Sequence, residues 1–339
     1  MAEPYRRRIL VMAVLLLICL IGSMGLGRYA IDPFTIMKML LSKVLPIRPD
    51  WPVQAETVLF NIRLPRVAAG CVIGAGLSCA GCAFQGIFQN PMASPDMLGA
   101  SNGAGFGAAA ALSIGLGYSG ISFLALAGGL CAVGVVALIS AKVGGGRTLA
   151  LILSGIMVGS LASAGISYLK LVADPTDTLP AITYWLMGSL ASIRCRDMIF
   201  AAPLILVGMA PILVLRWKIG VLTMGDEEAG AMGINVSRLR LTVVLCATLI
   251  TAACVSVSGI IGWVGLVVPH FARMLVGGDF RRTLPASVLI GGSFLMLVDN
   301  AARLAATSEV PIGILTAFVG TPLFLFLLLR GGVGCEPFR

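Results

Sequence analysis

Charge is scarce in this chain. Asp, Glu, Lys and Arg make up 12% of its 339 residues, against about 25% in a soluble domain. That is too little polar sequence to coat a water-soluble fold, which excludes an ordinary globular enzyme and a disordered chain. The net charge of +9 does not restore a nucleic-acid-binding reading, because the basic residues are scattered through apolar sequence and form no groove-sized patch. Histidine is nearly missing: His270 is the only one, so no Ser-His-Asp triad and no histidine metal cluster can be assembled. A Walker lysine is missing too. Gly144-Gly145-Gly146-Arg147-Thr148 lacks the lysine that a phosphate loop places on the phosphates. It reads as a glycine turn, and the chain does not hydrolyse ATP by that route. Nine cysteines are present, yet Cys19, Cys71, Cys79, Cys82, Cys131, Cys246 and Cys254 sit in apolar runs, as small buried hydrophobes do. Cys79 and Cys82 form a C-x-x-C with no further ligands nearby, so no metal site is expected. Only Cys195 and Cys335 read as water-accessible.

What is there is apolar sequence. Hydrophobic residues reach 58% and the mean hydropathy is +1.00. A helical span takes about 20 apolar residues, so the expected fold is all-α: a polytopic membrane protein with about ten spans. Arg6, Arg7 and Arg8 precede an apolar run from Ile9 to Gly27. It is too long for a signal-peptide core and reads as an uncleaved first helix with a cytoplasmic start. A proline-bearing polar break follows at 28–66. Apolar segments then come at 67–88, 96–116, 119–141, 148–171, 197–215, 240–257, 259–277, 284–305 and 311–330, ten with the first. Segment 181–191 is too short to span and reads as interfacial or re-entrant, with Tyr184 and Trp185 at headgroup level. The whole chain, 1–339, reads as one transmembrane domain with a cytoplasmic loop at 216–240.

Ten spans from an inside start put both termini in the cytoplasm. Fourteen Lys/Arg then fall inside and ten outside, six of those ten in the single segment 28–66. Without that segment the asymmetry obeys the positive-inside rule.

Small residues recur every four positions: Gly70, Gly74, Ser78, Cys82, Gly86; then Gly99, Gly103, Gly107, Ala111, Gly115; then Gly155, Gly159, Ser163, Ser167. Such stripes let helix backbones pack closely. In 216–240, Gly225-Asp226-Glu227-Glu228-Ala229-Gly230-Ala231-Met232-Gly233-Ile234 opens with three acids, which a helix N-terminus favours. It is either a solvated loop or a docking helix for a cytoplasmic partner. Asp299 and Arg303 are four apart on one helix face, as an ion pair or, for Asp299, a proton-coupling site. His270, near a cytoplasmic helix end, reads as a structural hydrogen-bonding residue.

Several of these stretches together carry a resemblance. They are Arg63-Leu64-Pro65-Arg66; Gln85-Gly86-Ile87-Phe88-Gln89-Asn90-Pro91-Met92-Ala93-Ser94-Pro95-Asp96; and Leu98-Gly99-Ala100-Ser101-Asn102-Gly103-Ala104. Further on come Gly262-Trp263-Val264-Gly265-Leu266-Val267-Val268-Pro269-His270, Arg273, Gly278-Asp279, Arg281, Asp299, Arg303 and Glu309-Val310-Pro311-Ile312-Gly313. From about Arg63 to Arg330 the chain resembles the FecCD-type permease subunits of bacterial type II ABC importers for iron-siderophores, haem and cobalamin. Trp263 and Phe280 stand where that family often has phenylalanine and histidine.

The resemblance implies a cobalamin-importer-permease-like fold in the bacterial inner membrane. It implies a second permease subunit, as a homodimer, with two cytoplasmic ATPase subunits and an extracytoplasmic substrate-binding protein. No cofactor is implied on this chain; ATP and Mg belong to the partner ATPase. Residues Gly225, Asp226, Glu227, Glu228, Ala229, Gly230 and Gly233 match the helix that couples to the ATPase. Arg63, Arg66 and Arg303 match positions that receive acidic residues of the binding protein, which would account for part of the basic excess in 28–66. Asn90 and Met92, with Thr148 from a neighbouring turn, match a cytoplasmic gate. The path between is expected to be lined by apolar and small residues, with selectivity left to the binding protein. An ion-coupled secondary transporter using Asp299 is the alternative, and a transport-inert scaffold a third class. Nucleotide dependence of uptake separates the three.

Overall fold

The computed structural model describes residues 3–27, 29–43, 45–46, 48–143, 147–306 and 308–329. Among these residues every regular element is a helix. In chain order they are α1 (Glu3–Gly25), α2 (Pro33–Ser42), α3 (Val53–Thr57), a π-helical turn (Val58–Arg63), α4 (Leu64–Ile87), a 3-10 turn (Pro95–Leu98), α5 (Ala100–Ser113), α6 (Tyr118–Lys142), α7 (Arg147–Val172) and α8 (Thr178–Leu186). Then follow α9 (Cys195–Val214), α10 (Arg216–Leu222), α11 (Asp226–Ala231), α12 (Val236–Ser258), α13 (Val264–Val276), α14 (Phe280–Leu304) and α15 (Ile312–Leu329).

Each of the ten apolar segments carries a helix. Among the described residues seven helical stretches are long and apolar enough to cross a membrane: Tyr5–Gly25, Val53–Ile87, Tyr118–Lys142, Leu149–Val172, Cys195–Val214, Val236–Ser258 and Phe280–Leu304. The other three are α5, α13 and α15. With 14 and 13 residues, α5 and α13 reach only about 20 Å at 1.5 Å per residue.

Two boundaries differ from the sequence reading. The polar break 28–66 is largely helical. Asp32 caps α2 by accepting from the Thr35 N–H at 3.1 Å, with Pro33 at the first position, a favoured helix start. Further on, α3 and the π-helical turn run into α4, so one 35-residue helix spans Val53–Ile87. The wider turn comes just before Pro65, which has no N–H to give to a regular ladder. Conversely, the apolar run 259–277 begins without a helix. Gly259 (φ 68°) and Trp263 (φ 69°) are both left-handed, and α13 starts only at Val264. Hydropathy cannot register such a break.

The centre of the bundle is α4, whose most apolar stretch is 83% buried, against 17% for α1. It packs against α14, α12, α13 and α9. The first small-residue stripe explains how. A Cβ on Gly74 would stand 2.2 Å from the carbonyl oxygen of Gly291, and one on Gly70 would meet Met296 at 3.3 Å and one on Gly86 Phe280 at 2.6 Å. Positions 70, 74 and 86 therefore run antiparallel along α14. The second stripe faces α6 through Gly103 and Gly107. The third divides: Gly155 and Gly159 pack on residues 97–102, while Ser163 and Ser167 are exposed.

Candidate functional site

Polar side chains collect at the two opposite ends of α4. At its Arg63 end, α1, α4 and α14 meet. The Arg63 guanidinium donates to the carbonyls of Met24 (2.8 Å), Gly25 (3.2 Å) and Tyr29. A cation there satisfies carbonyls that the end of α1 leaves without partners. Arg303 reaches the same helix end, donating to the Leu26 carbonyl at 3.2 Å and to the Asn300 side chain. Asn300 in turn donates to Ser23 Oγ at 2.7 Å.

Arg66 makes the ion pairs. Its Nε lies 3.0 and 3.1 Å from the two carboxylate oxygens of Asp299, and its Nη1 2.9 Å from Glu309 Oε2. Arg303 Nε stands 3.2 Å from Asp299 Oδ2 without hydrogen-bond geometry. The i,i+4 pair read from the sequence is therefore present, but the stronger partner of Asp299 is Arg66, 233 positions away. Arg63, Arg66, Arg303 and Asp299 are 3%, 5%, 7% and 2% exposed. None of the three arginines stands free on a rim.

The neighbouring segment resolves much of the charge excess in 28–66. Lys43 pairs with Glu56 at 2.9 Å and Lys38 with Asp50. The hydrogen bond from Lys38 holds the Asp50 carboxyl below the usual carboxylate range. With Arg63 and Arg66 buried among acceptors, four of the six basic residues are already matched inside the chain.

At the Ile87 end of α4 lie the turn 88–94, α10, α11 and the start of α12. All of α11 is exposed except Ala229. Gly225 and Gly233 flank it, with φ of 149° and 75°. Asp226, its first residue, accepts from Arg240 Nη2 at 2.9 and 3.1 Å. In the turn, the Asn90 side chain accepts from the Met92 N–H at 2.9 Å, leaving Met92 exposed. Gln89, at φ 49°, donates to the Leu222 carbonyl at 2.8 Å. Gln85 joins α4 to α13 by accepting from Arg273 Nη1 at 2.7 Å and donating to the Leu266 carbonyl at 3.2 Å. The side chain of Thr148, the third expected gate residue, lies outside the described residues, as do Gly144–Gly146.

Between the two ends, the non-helical stretch before α13 borders open space. A cavity of about 700 Å³ is lined by Met187, Ile260, Gly262, Trp263, Phe318 and other apolar or small residues. A smaller one of about 220 Å³ lies beside Asp96, Thr251 and Trp263. Trp263 packs on α15, where a Cβ on Gly320 would touch it at 2.7 Å.

Residues 225–233 thus lie on one exposed element, and Asn90 and Met92 on the turn beside it. Sequence reasoning missed Arg240 and Gln89, which join these two pieces. It also missed Asn300 and Ser23 at the opposite end. Arg240 is fourteen positions from Asp226, a spacing with no local signature.

Comparison with known proteins points one way. The FecCD transport family matches residues 15–330. The molybdate import system permease protein MolB of Haemophilus influenzae is 36% identical over 334 residues, covering 98% of each chain. The cobalamin import system permease protein BtuC of Halobacterium salinarum is 41% identical over 291 residues, 86% of this chain and 78% of that one. A solved structure described as an inward-facing conformation of a metal-chelate type ABC transporter superposes with a TM-score of 0.85 at 36% identity, covering 96% of this chain and 99% of that one.

Proposed function

The chain belongs to the FecCD transport family of ABC importer permeases, and from that premise we propose that it carries a metal-bearing solute inward across the bacterial inner membrane. ATP hydrolysis on a separate ATPase subunit drives the transport. The observation that carries this reading is α11: a short acidic helix between two glycines, exposed on every residue but Ala229, at the end of α4 opposite the arginine cluster. That is the form of a segment that seats in a partner. In this reading the α11 end is cytoplasmic, as are both termini, and the Arg63 end faces out.

Alternating access shifts the path between outward- and inward-open states, with nucleotide biasing the equilibrium. Asn90 and Met92 form the cytoplasmic gate, joined by Thr148. The apolar lining of the cavity beside Trp263 supports a path that passes cargo without gripping it. A second copy of the permease covers the exposed apolar side chains of α7, including Leu153, Met157 and Leu161. The extracytoplasmic binding protein docks over Arg63, Arg66 and Arg303. Because these are buried, an incoming carboxylate reaches Arg66 only by displacing Glu309, whose side chain is 36% exposed. Ferric siderophore is the proposed cargo, with haem and cobalamin in the same class. Molybdate is a second reading, favoured by the near full-length likeness to MolB.

Asp299 weighs against the ion-coupled alternative. It sits against two arginines at 2.9–3.2 Å and is 2% exposed, the setting of a structural member of a buried ion-pair cluster. The test is charge reversal on α11 and a bulky substitution at the glycine that follows it. Glu228→Arg and Gly233→Trp should abolish uptake while leaving folded protein in the membrane. Unchanged uptake in both would sink the coupling assignment.

A further inference from the structure

Two other pieces of chain, α11 and the end of α4, meet on one buried guanidinium of α12. Arg240, near the start of α12, is 8% exposed. Its Nη2 donates to both carboxylate oxygens of Asp226, at 2.9 and 3.1 Å. Its Nε is directed at the carbonyl of Ile87, the last residue of α4, at 3.4 Å. Gln89 closes the circuit. It donates to the Leu222 carbonyl at 2.8 Å and stands 3.5 Å from Asp226 Oδ1. Asn90 and Met92 follow on the same turn.

The chemistry of this junction is specific. Guanidinium carries five donors in a rigid fork and addresses two elements at once, which a lysine ammonium on a flexible stem does not reproduce. The Ile87 carbonyl is among those that the end of α4 leaves unpaired, and a cation is favoured there. The rest of α11 has little hold on the bundle, since Ala229 is its only buried residue. Asp226 is therefore its polar tether, and that tether ends on the helix whose next residues form the turn. Gln89 at φ 49° is a constrained position for a residue with a side chain. The turn is thus held in one defined shape.

We propose that Arg240 is a positioning residue that relays movement of α11 to the 88–92 turn, through Asp226 on one side and Ile87 and Gln89 on the other. This rests on the reading of α11 as the ATPase-contacting helix. A displacement of α11 pulls Asp226. Arg240 follows because leaving its buried charge unpaired is unfavourable. The end of α4 and the turn then change shape together.

The experiment uses the intact complex, purified with its ATPase partner and reconstituted into liposomes. Uptake and ATP hydrolysis are measured on the same sample for Arg240→Gln, Arg240→Lys and Asp226→Asn. Arg240→Gln and Arg240→Lys should keep the ATPase bound and hydrolysing, while uptake per ATP falls about tenfold, within the usual range of coupling between sites; Asp226→Asn, on the contact helix itself, should lower uptake per ATP as well. Asp226 is half exposed, so its variant reports even where an Arg240 variant does not fold. Labelling with a membrane-impermeant maleimide in inside-out vesicles gives the second readout. With Arg240→Gln or Asp226→Asn in place, Glu227→Cys should still change reactivity when nucleotide binds, and Met92→Cys should no longer do so. A Met92→Cys response that persists in these variants overturns the relay, as does uptake that falls only in step with hydrolysis. Glu228→Arg tests the underlying reading separately: if it leaves the ATPase bound and uptake unchanged, α11 is not the contact and the relay falls with it.

Discussion

Replacing Asp299 by Asn separates a structural carboxylate from a transporting one. The substitution keeps the shape of the side chain but removes the charge between Arg66 and Arg303. Asp299 is 2% exposed, and Arg66 Nη2 lies 2.9 Å from it. Asn also turns an amide NH₂ toward donors, where a carboxylate offered only acceptors. Losing one member of a buried pair costs about 3–5 kcal/mol. Arg66 keeps Glu309, and Arg303 keeps Asn300 and the Leu26 carbonyl, so the lower end applies, about 3 kcal/mol. At about 2–4 °C per kcal/mol, the melting temperature of the detergent-solubilised protein should fall by roughly 6–12 °C. Arg66→Met should lower it too, and the double variant should fall short of the sum, because the two side chains share one interaction. Uptake by surviving Asp299→Asn protein should still need ATP and should not respond to collapse of the proton gradient. Unchanged melting together with lost uptake would refute the reasoning. Asp299 would then act in transport itself.

The remaining predictions touch other parts of the molecule. Gly81→Ala places a methyl 1.9 Å from the backbone oxygen of Gly265, so α4 and α13 must part; a loss of about 1–3 kcal/mol is expected in thermal melts, and an unaltered melt would contradict the packing. Glu309→Gln frees Arg66 from its exposed partner, so binding-protein association measured by surface plasmon resonance should strengthen, most at low salt; weaker docking would show that Glu309 itself is a contact. Met92→Cys in two adjoining permease copies should cross-link across the midline and block uptake reversibly, and failure in every nucleotide state would count against the gate.

Much of the fold was legible in the sequence because hydropathy and small-residue spacing report helices directly. The stripe through Gly70, Gly74 and Gly86 marks the face of α4 that meets α14. Breaks that keep an apolar composition were not legible. Trp263 and Gly259 end helical geometry by backbone angle alone, and the helix before Pro65 hid within a polar stretch. At the candidate site, Asp226, Asn90 and Met92 stood out through their motifs. Their connection through Arg240 and Gln89 did not, since it depends on where α4 and α12 end in space. The arginines show the same limit. Composition marks Arg63 and Arg66 as excess charge, while only the packed structure reveals that the end of α1 and Asp299 already occupy them.

The most direct measurement is on the tagged chain, extracted in mild detergent from its native host. Co-purifying subunits are identified by mass spectrometry, and ATP hydrolysis is assayed on the same sample. An ATPase subunit that co-purifies, with turnover stimulated by an extracytoplasmic binding protein, is the predicted result, and the cargo of that binding protein names the solute. A permease that stays alone and inert toward ATP through several gentle extractions would contradict ATP-driven import.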